Sequence, residues 1–103
     1  MNREVKQNQV RQGRDEALPY TLTTTPWGSD PTNPICTLYD VTNDDAWVDV
    51  TKDKLAGEPS IEGDVITTPL VYSLVSARKY RLEIRFTTDG NTWEPFVEIT
   101  AER

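Results

Sequence analysis

Residues 79–100 read KYRLEIRFTTDGNTWEPFVEIT, and the fold of the chain is decided there. Tyr80, Leu82, Ile84 and Phe86 alternate with Lys79, Arg81, Glu83, Arg85 and Thr87, the period of a strand with one buried face. After Asp89-Gly90-Asn91 the alternation resumes with Trp93, Val97 and Ile99 inward, so the segment predicts a β-hairpin. A type I′ turn at Asp89-Gly90 sets Arg85 opposite Glu94, Arg81 opposite Glu98 and Phe86 opposite Trp93. Such opposite-charge pairs contribute about 0.2–1 kcal/mol each. Against them, Pro95 falls opposite Ile84 and lacks a ladder N–H, a loss of roughly 0.5–1.5 kcal/mol. A type II′ turn at Gly90-Asn91 relocates the proline but opposes Glu83 to Glu98. The first register, with a bulge at Pro95, is preferred. Both registers make the last strand an edge and leave Phe96 on the outer face beside Arg81 or Arg85.

Working back from the hairpin, further strands are expected over 17–25, 35–41, 46–51 and 61–67, the last with Gly63 as a bulge or close backbone approach. Residues 28–34 and 42–45 carry turn chemistry, and 52–60 read as a longer connection. The segment 69–77 crosses between sheets with Leu70, Tyr72 and Leu74 at even spacing. Residues 1–16, polar apart from Val5, Val10 and Met1, read as an arm or first edge strand, followed by one domain over 17–103. No stretch keeps a capped 3.6-residue period, so essentially no helix beyond a single turn is expected. About seven strands punctuated by turns predict an all-β, immunoglobulin-like antiparallel β-sandwich. Tyr80 fits the tyrosine that such folds place two residues before the second core cysteine, its hydroxyl bonded to upstream backbone. Leu74 would pack beside it, Leu82 stands in the cysteine position, and Tyr39 would fill the core position of the third strand.

The 103 residues suffice for one core. A net charge of −6 disfavours nucleic acid, whose binding needs a basic stripe. With Cys36 as the single cysteine there is no intrachain disulfide. Residues 1–10 contain no apolar run, and no segment approaches a membrane span, so synthesis in a cytoplasm without membrane attachment is expected.

The chain contains no histidine, which removes the commonest general base and neutral metal ligand. Cys36, next to Ile35 in a strand, reads as a packed thiol rather than a nucleophile. Asp40, Asp44, Asp45 and Asp49 are the densest acidic group, but they match no calcium loop, and turn capping accounts for them. No catalytic, cofactor or metal site is expected. Trp93 is inward by parity, Trp47 alternates with Asp49, and Trp27, after a proline in a loop, is the one tryptophan placed for exposure, although core or loop-anchoring use is the favoured reading for all three. The candidate interface residues are therefore Phe96, Arg81, Arg85 and Trp27.

Gln12-Gly13 with Asp15 and Tyr20, Thr24-Thr25-Pro26-Trp27-Gly28, Gly63-Asp64-Val65-Ile66 and Tyr80-Arg81-Leu82-Glu83 follow one another along the chain in that order. In this set the sequence resembles small immunoglobulin-like proteins encoded among the virion-structural genes of tailed phages and prophages. That resemblance implies a non-enzymatic structural component of head decoration, neck or tail. It would be made in the host cytoplasm and then carried in the virion, binding other virion subunits or further copies of itself as a homo-oligomer. The alternative is a carbohydrate- or surface-binding β-sandwich module that uses Trp27 and its loop.

Overall fold

The computed structural model describes residues 3–4 and 9–102, with side chains from Val10 onward. In chain order the elements are β1 (Arg3–Glu4), β2 (Gln9–Gly13), β3 (Tyr20–Thr23), β4 (Thr32–Asp40), β5 (Val48–Asp49), α1 (Thr51–Lys54), β6 (Leu55–Ala56), β7 (Ser60–Glu62), β8 (Val65–Thr67), β9 (Leu70–Val71), β10 (Lys79–Thr88), β11 (Asn91–Trp93) and β12 (Phe96–Glu102). One sheet has the order β1-β3-β8-β7; the other runs β2-β12-β10-β4-β5, with β11 continuing the β10 hairpin. The pair β6-β9 forms a separate two-stranded antiparallel sheet. In strand order this is the A-B-E-D sheet against G-F-C-C′ layout of an immunoglobulin-like sandwich, with β1 departing from it by running parallel to β3. The four residues of α1 are the only helix among the described residues.

Alternation builds the core. Tyr20, Leu22 and Ile66 from the first sheet meet Cys36, Leu38, Tyr80, Leu82, Ile84, Phe86, Val97 and Ile99 from the second in one buried cluster. The hairpin pairs Arg81 with Glu98 and Phe86 with Trp93, the register of a turn at Asp89-Gly90, whose φ angles of 53° and 81° are those of a type I′ turn. Ile84 N–H donates to the Pro95 carbonyl at 3.0 Å, while the proline returns nothing. The pairing is interrupted at 94–95 without a change of register, so Pro95 makes a gap rather than the expected bulge. The bulge lies instead on β4: the register with β10 shifts between Arg85 and Thr87, where Asn33 takes φ 54°.

The tyrosine corner is formed. Tyr80 is buried, and its hydroxyl accepts the Val75 N–H at 3.0 Å, while Leu74 and Leu82 lie in the same cluster. Four further expectations are corrected. Leu38, not Tyr39, fills the core position of β4, because the phase that buries Cys36 turns Tyr39 outward. Gly63 (φ 60°) is the first central residue of the two-residue β7–β8 turn, since Glu62 pairs with Val65; it is no bulge. In the crossover, Val71 and Leu74 are buried and Leu70 is exposed, because Ser73 at φ 57° breaks the even spacing.

The fourth correction concerns the last strand. β12 is not an edge, for β2 pairs with it in parallel from Gln9↔Glu98 to Gly13↔Glu102, and β2 itself is the edge. Gln12 anchors β2. Fully buried, it donates from Nε2 to the carbonyls of Val71 (2.7 Å) and Glu16 (3.2 Å), and its Oε1 accepts the Tyr20 hydroxyl at 2.8 Å. Buried amides persist where their groups are paired in this way.

Candidate functional site

The outer face of the larger sheet collects the features of a binding surface. Strand parity turns Tyr39 on β4, Arg81, Glu83 and Arg85 on β10, and Phe96 and Glu98 on β12 to this side. Tyr39 and Arg81 are direct cross-strand partners, and Arg81 also faces Glu98. Trp47, just ahead of β5, leans over them with its ring centroid 5.8 Å from that of Tyr39. The Arg81 guanidinium carbon lies 3.5 Å from the Phe96 ring centroid and 5.2 Å from that of Trp47. Its Nε meets the Glu83 carboxylate at 2.8 Å, so the guanidinium is held by a neighbour on its own strand rather than by Glu98 across the ladder. A guanidinium between two rings and a carboxylate is fixed in place, each ring contact contributing about 0.5–1 kcal/mol at an exposed site.

Trp47 is 48% exposed, and the patch continues along the sheet to Ile35 (45%), which pairs with the exposed Arg85. Tyr, Trp and Arg are the residue types that dominate protein–protein hot spots, because they desolvate large area with few rotors and leave a polar handle.

Of the four interface residues expected from sequence, the structure brings Arg81 and Phe96 into contact and sets Arg85 further along the same face. Trp27 is elsewhere. Its indole packs edge-on against Phe86, centroids 6.0 Å apart at 79°, and it is half-buried against the core, so it is a loop anchor and not an exposed platform. Sequence reasoning missed Tyr39 and Trp47. The signal was available in Ile35-Cys36-Thr37-Leu38-Tyr39, where only the phase burying Cys36 and Leu38 keeps Thr37 out of the core.

The carboxylates near this face serve turns. Asp40 accepts the Thr42 N–H at 3.0 Å and the Arg78 guanidinium at 3.0 Å. Burial raises its pKa, but these partners more than offset that and hold it below the ordinary value. Asp49 accepts the Thr51 N–H at 2.9 Å, and that bond lowers its pKa. Among the described residues no three acidic or cysteine side chains converge as a metal site, and no helix is long and apolar enough to cross a membrane. Burial pushes the Cys36 thiol up to about 12, the opposite of an activated nucleophile. No protein-family model matches the chain, and a search of curated proteins returns no relative.

Proposed function

We propose that this protein is a non-enzymatic interaction domain that docks a protein partner on the outer face of its larger sheet. The observation that carries the reading is the Tyr39–Trp47–Arg81–Phe96 cluster, solvent-facing and held rigid by Glu83. Rigid aromatic and guanidinium groups lose little entropy on binding, so such a cluster favours association over mere solvation. The sequence resemblance to virion-structural proteins of tailed phages makes a virion component the best-supported setting, with another virion subunit or a second copy of the chain as partner. Its net charge of −6 favours a partner surface that is not acidic and argues against nucleic acid.

The test is co-sedimentation of the tagged chain with particles of the phage or prophage that encodes it, alongside light scattering over a concentration series. Trp47→Ala and Phe96→Ala should abolish particle binding or self-association while thermal unfolding stays within a few degrees of the parent. Binding that is undiminished in both variants would remove the outer face from consideration. The carbohydrate reading loses its expected contact, because Trp27 packs inward.

A further inference from the structure

The open edge of β4 points to a second recognition site, and we propose that it accepts a single extended peptide strand bearing a Lys or Arg. The inference rests on the interaction-domain reading above but concerns the edge of that sheet, where Ile35 alone is shared with the outer-face patch. β5 covers only Tyr39 and Asp40 of β4. Beyond that pair, Leu38 donates its N–H to the Thr51 hydroxyl at 3.0 Å and accepts the Val50 N–H at 2.9 Å, so its backbone groups point away from β10. Backbone direction alternates along a strand, so the N–H and C=O of Cys36 point the same way. The phase agrees from the other side, because Ile84, the β10 partner of Cys36, sends its N–H to Pro95 on β12. Among the described residues no strand pairs with Cys36 on that side.

Those groups open into a groove. One compartment of about 530 Å³ is lined by Ile35, Cys36 and Thr37 against Asp49, Thr51 and Asp53. A second of about 320 Å³ continues it past Lys52, Leu55 and Pro59. The far wall is formed by α1 and residues 55–59. An incoming residue opposite Cys36 would exchange two backbone hydrogen bonds with it, as strand addition requires, while Ile35, Leu55 and the prolines offer apolar contact. Charge supplies the remaining selectivity: Asp49, Asp53 and Glu58 border the groove against the single ammonium of Lys52, so a cationic side chain is favoured and another copy of this acidic chain is not.

The probe is a displayed library of random seven-residue peptides panned on the full chain, with selected sequences resynthesised. β-prone peptides with an excess of Lys or Arg are expected. Their affinity should fall at least about tenfold on Ile35→Lys and on Asp53→Lys, both at exposed positions that tolerate substitution. N-methylation of alternate peptide amides should abolish binding in one phase and spare it in the other, a signature of strand addition that a helix or an apolar plug would not give. Failure to enrich extended sequences, or equal tolerance of both methylation phases, would overturn the proposal. Peptides lost on Trp47→Ala but retained on Asp53→Lys would overturn it too and leave the outer-face reading standing. Peptides that meet the expectations here while particle binding survives both Trp47→Ala and Phe96→Ala would uphold this proposal and remove the outer-face reading.

Discussion

Replacing Gln12 by leucine removes a buried amide that joins three elements while keeping most of its volume. The side chain gives up one bond to Val71 (2.7 Å), one to Glu16 (3.2 Å) and one from the Tyr20 hydroxyl (2.8 Å). The Val71 carbonyl still accepts the Leu18 N–H at 3.1 Å, so its loss is partial. The Tyr20 hydroxyl loses the buried acceptor to which it donates. Two buried bonds at about 1 kcal/mol each, plus part of the desolvation penalty of that hydroxyl, give an expected cost of about 2–3 kcal/mol. Tyr20→Phe alone should cost about 1–2 kcal/mol, because it leaves the Gln12 carbonyl unpaired. The pair replaced together leaves neither end of the Tyr20–Gln12 bond mismatched, so the double variant should be more stable than the sum of the singles by roughly 1 kcal/mol. Urea unfolding followed by tryptophan fluorescence reads all four corners of this cycle. Additive single effects, or a Gln12→Leu cost within experimental error, would refute the claim that this network fastens β2 to the sandwich.

Further outcomes follow from other sites. Cys36, ordinarily near 9.0, is pushed up to about 12 by burial. Above pH 9 the unfolded chain therefore releases a thiol proton that the folded chain keeps, so stability is intact below pH 9 and declines from there toward pH 12, by as much as about 4 kcal/mol. Cys36→Val should flatten that decline in alkaline urea titrations, and the native thiol should resist iodoacetamide at pH 8. Tyr80→Phe removes the acceptor of the Val75 N–H and should cost about 0.5–1.5 kcal/mol, read as a fall of several degrees in Tm. Gly28 sits at φ 153°, where an added Cβ would lie 2.6 Å from both the Asp89 carboxylate and the Thr88 hydroxyl. Gly28→Ala should therefore cost about 1–3 kcal/mol by calorimetry, and Gly90→Ala, with open space around it, only about 1 kcal/mol for its φ of 81°.

The parts legible in the sequence were those governed by neighbours along the chain. The hairpin register followed from turn chemistry at Asp89-Gly90 and from alternation on either side, and the same alternation put Arg81 and Phe96 on one outer face. The tyrosine corner was readable because Tyr80 and Val75 are close in sequence. What escaped was set by distant partners or single dihedral angles. The parallel pairing of β2 with β12 leaves no local trace, since a run such as Gln9-Val10-Arg11-Gln12-Gly13 looks polar whether or not it is a strand. Gln12 in particular reads as a solvent residue until the groups awaiting it on Tyr20 and Val71 are placed. The phase of the crossover turned on the backbone of Ser73, a residue with no strong preference for positive φ. Trp47 was overlooked at the binding face because β5 is so short that alternation gives it no reliable side.

The parallel alignment of β2 and β12 also governs how the domain would respond to force. A pull applied ahead of Gln9 and beyond Glu102 draws the two strands past one another along their length, because both run in the same direction from Gln9↔Glu98 to Gly13↔Glu102. The backbone bonds between them are then loaded together in shear instead of parting one at a time, and rupture has to break the whole ladder at once. Gln12, inside that ladder and tied to Val71 and Tyr20, acts as a cross-pin against the sliding motion. Single-molecule stretching between the two flanks would meet its main resistance here, and Gln12→Leu would lower it.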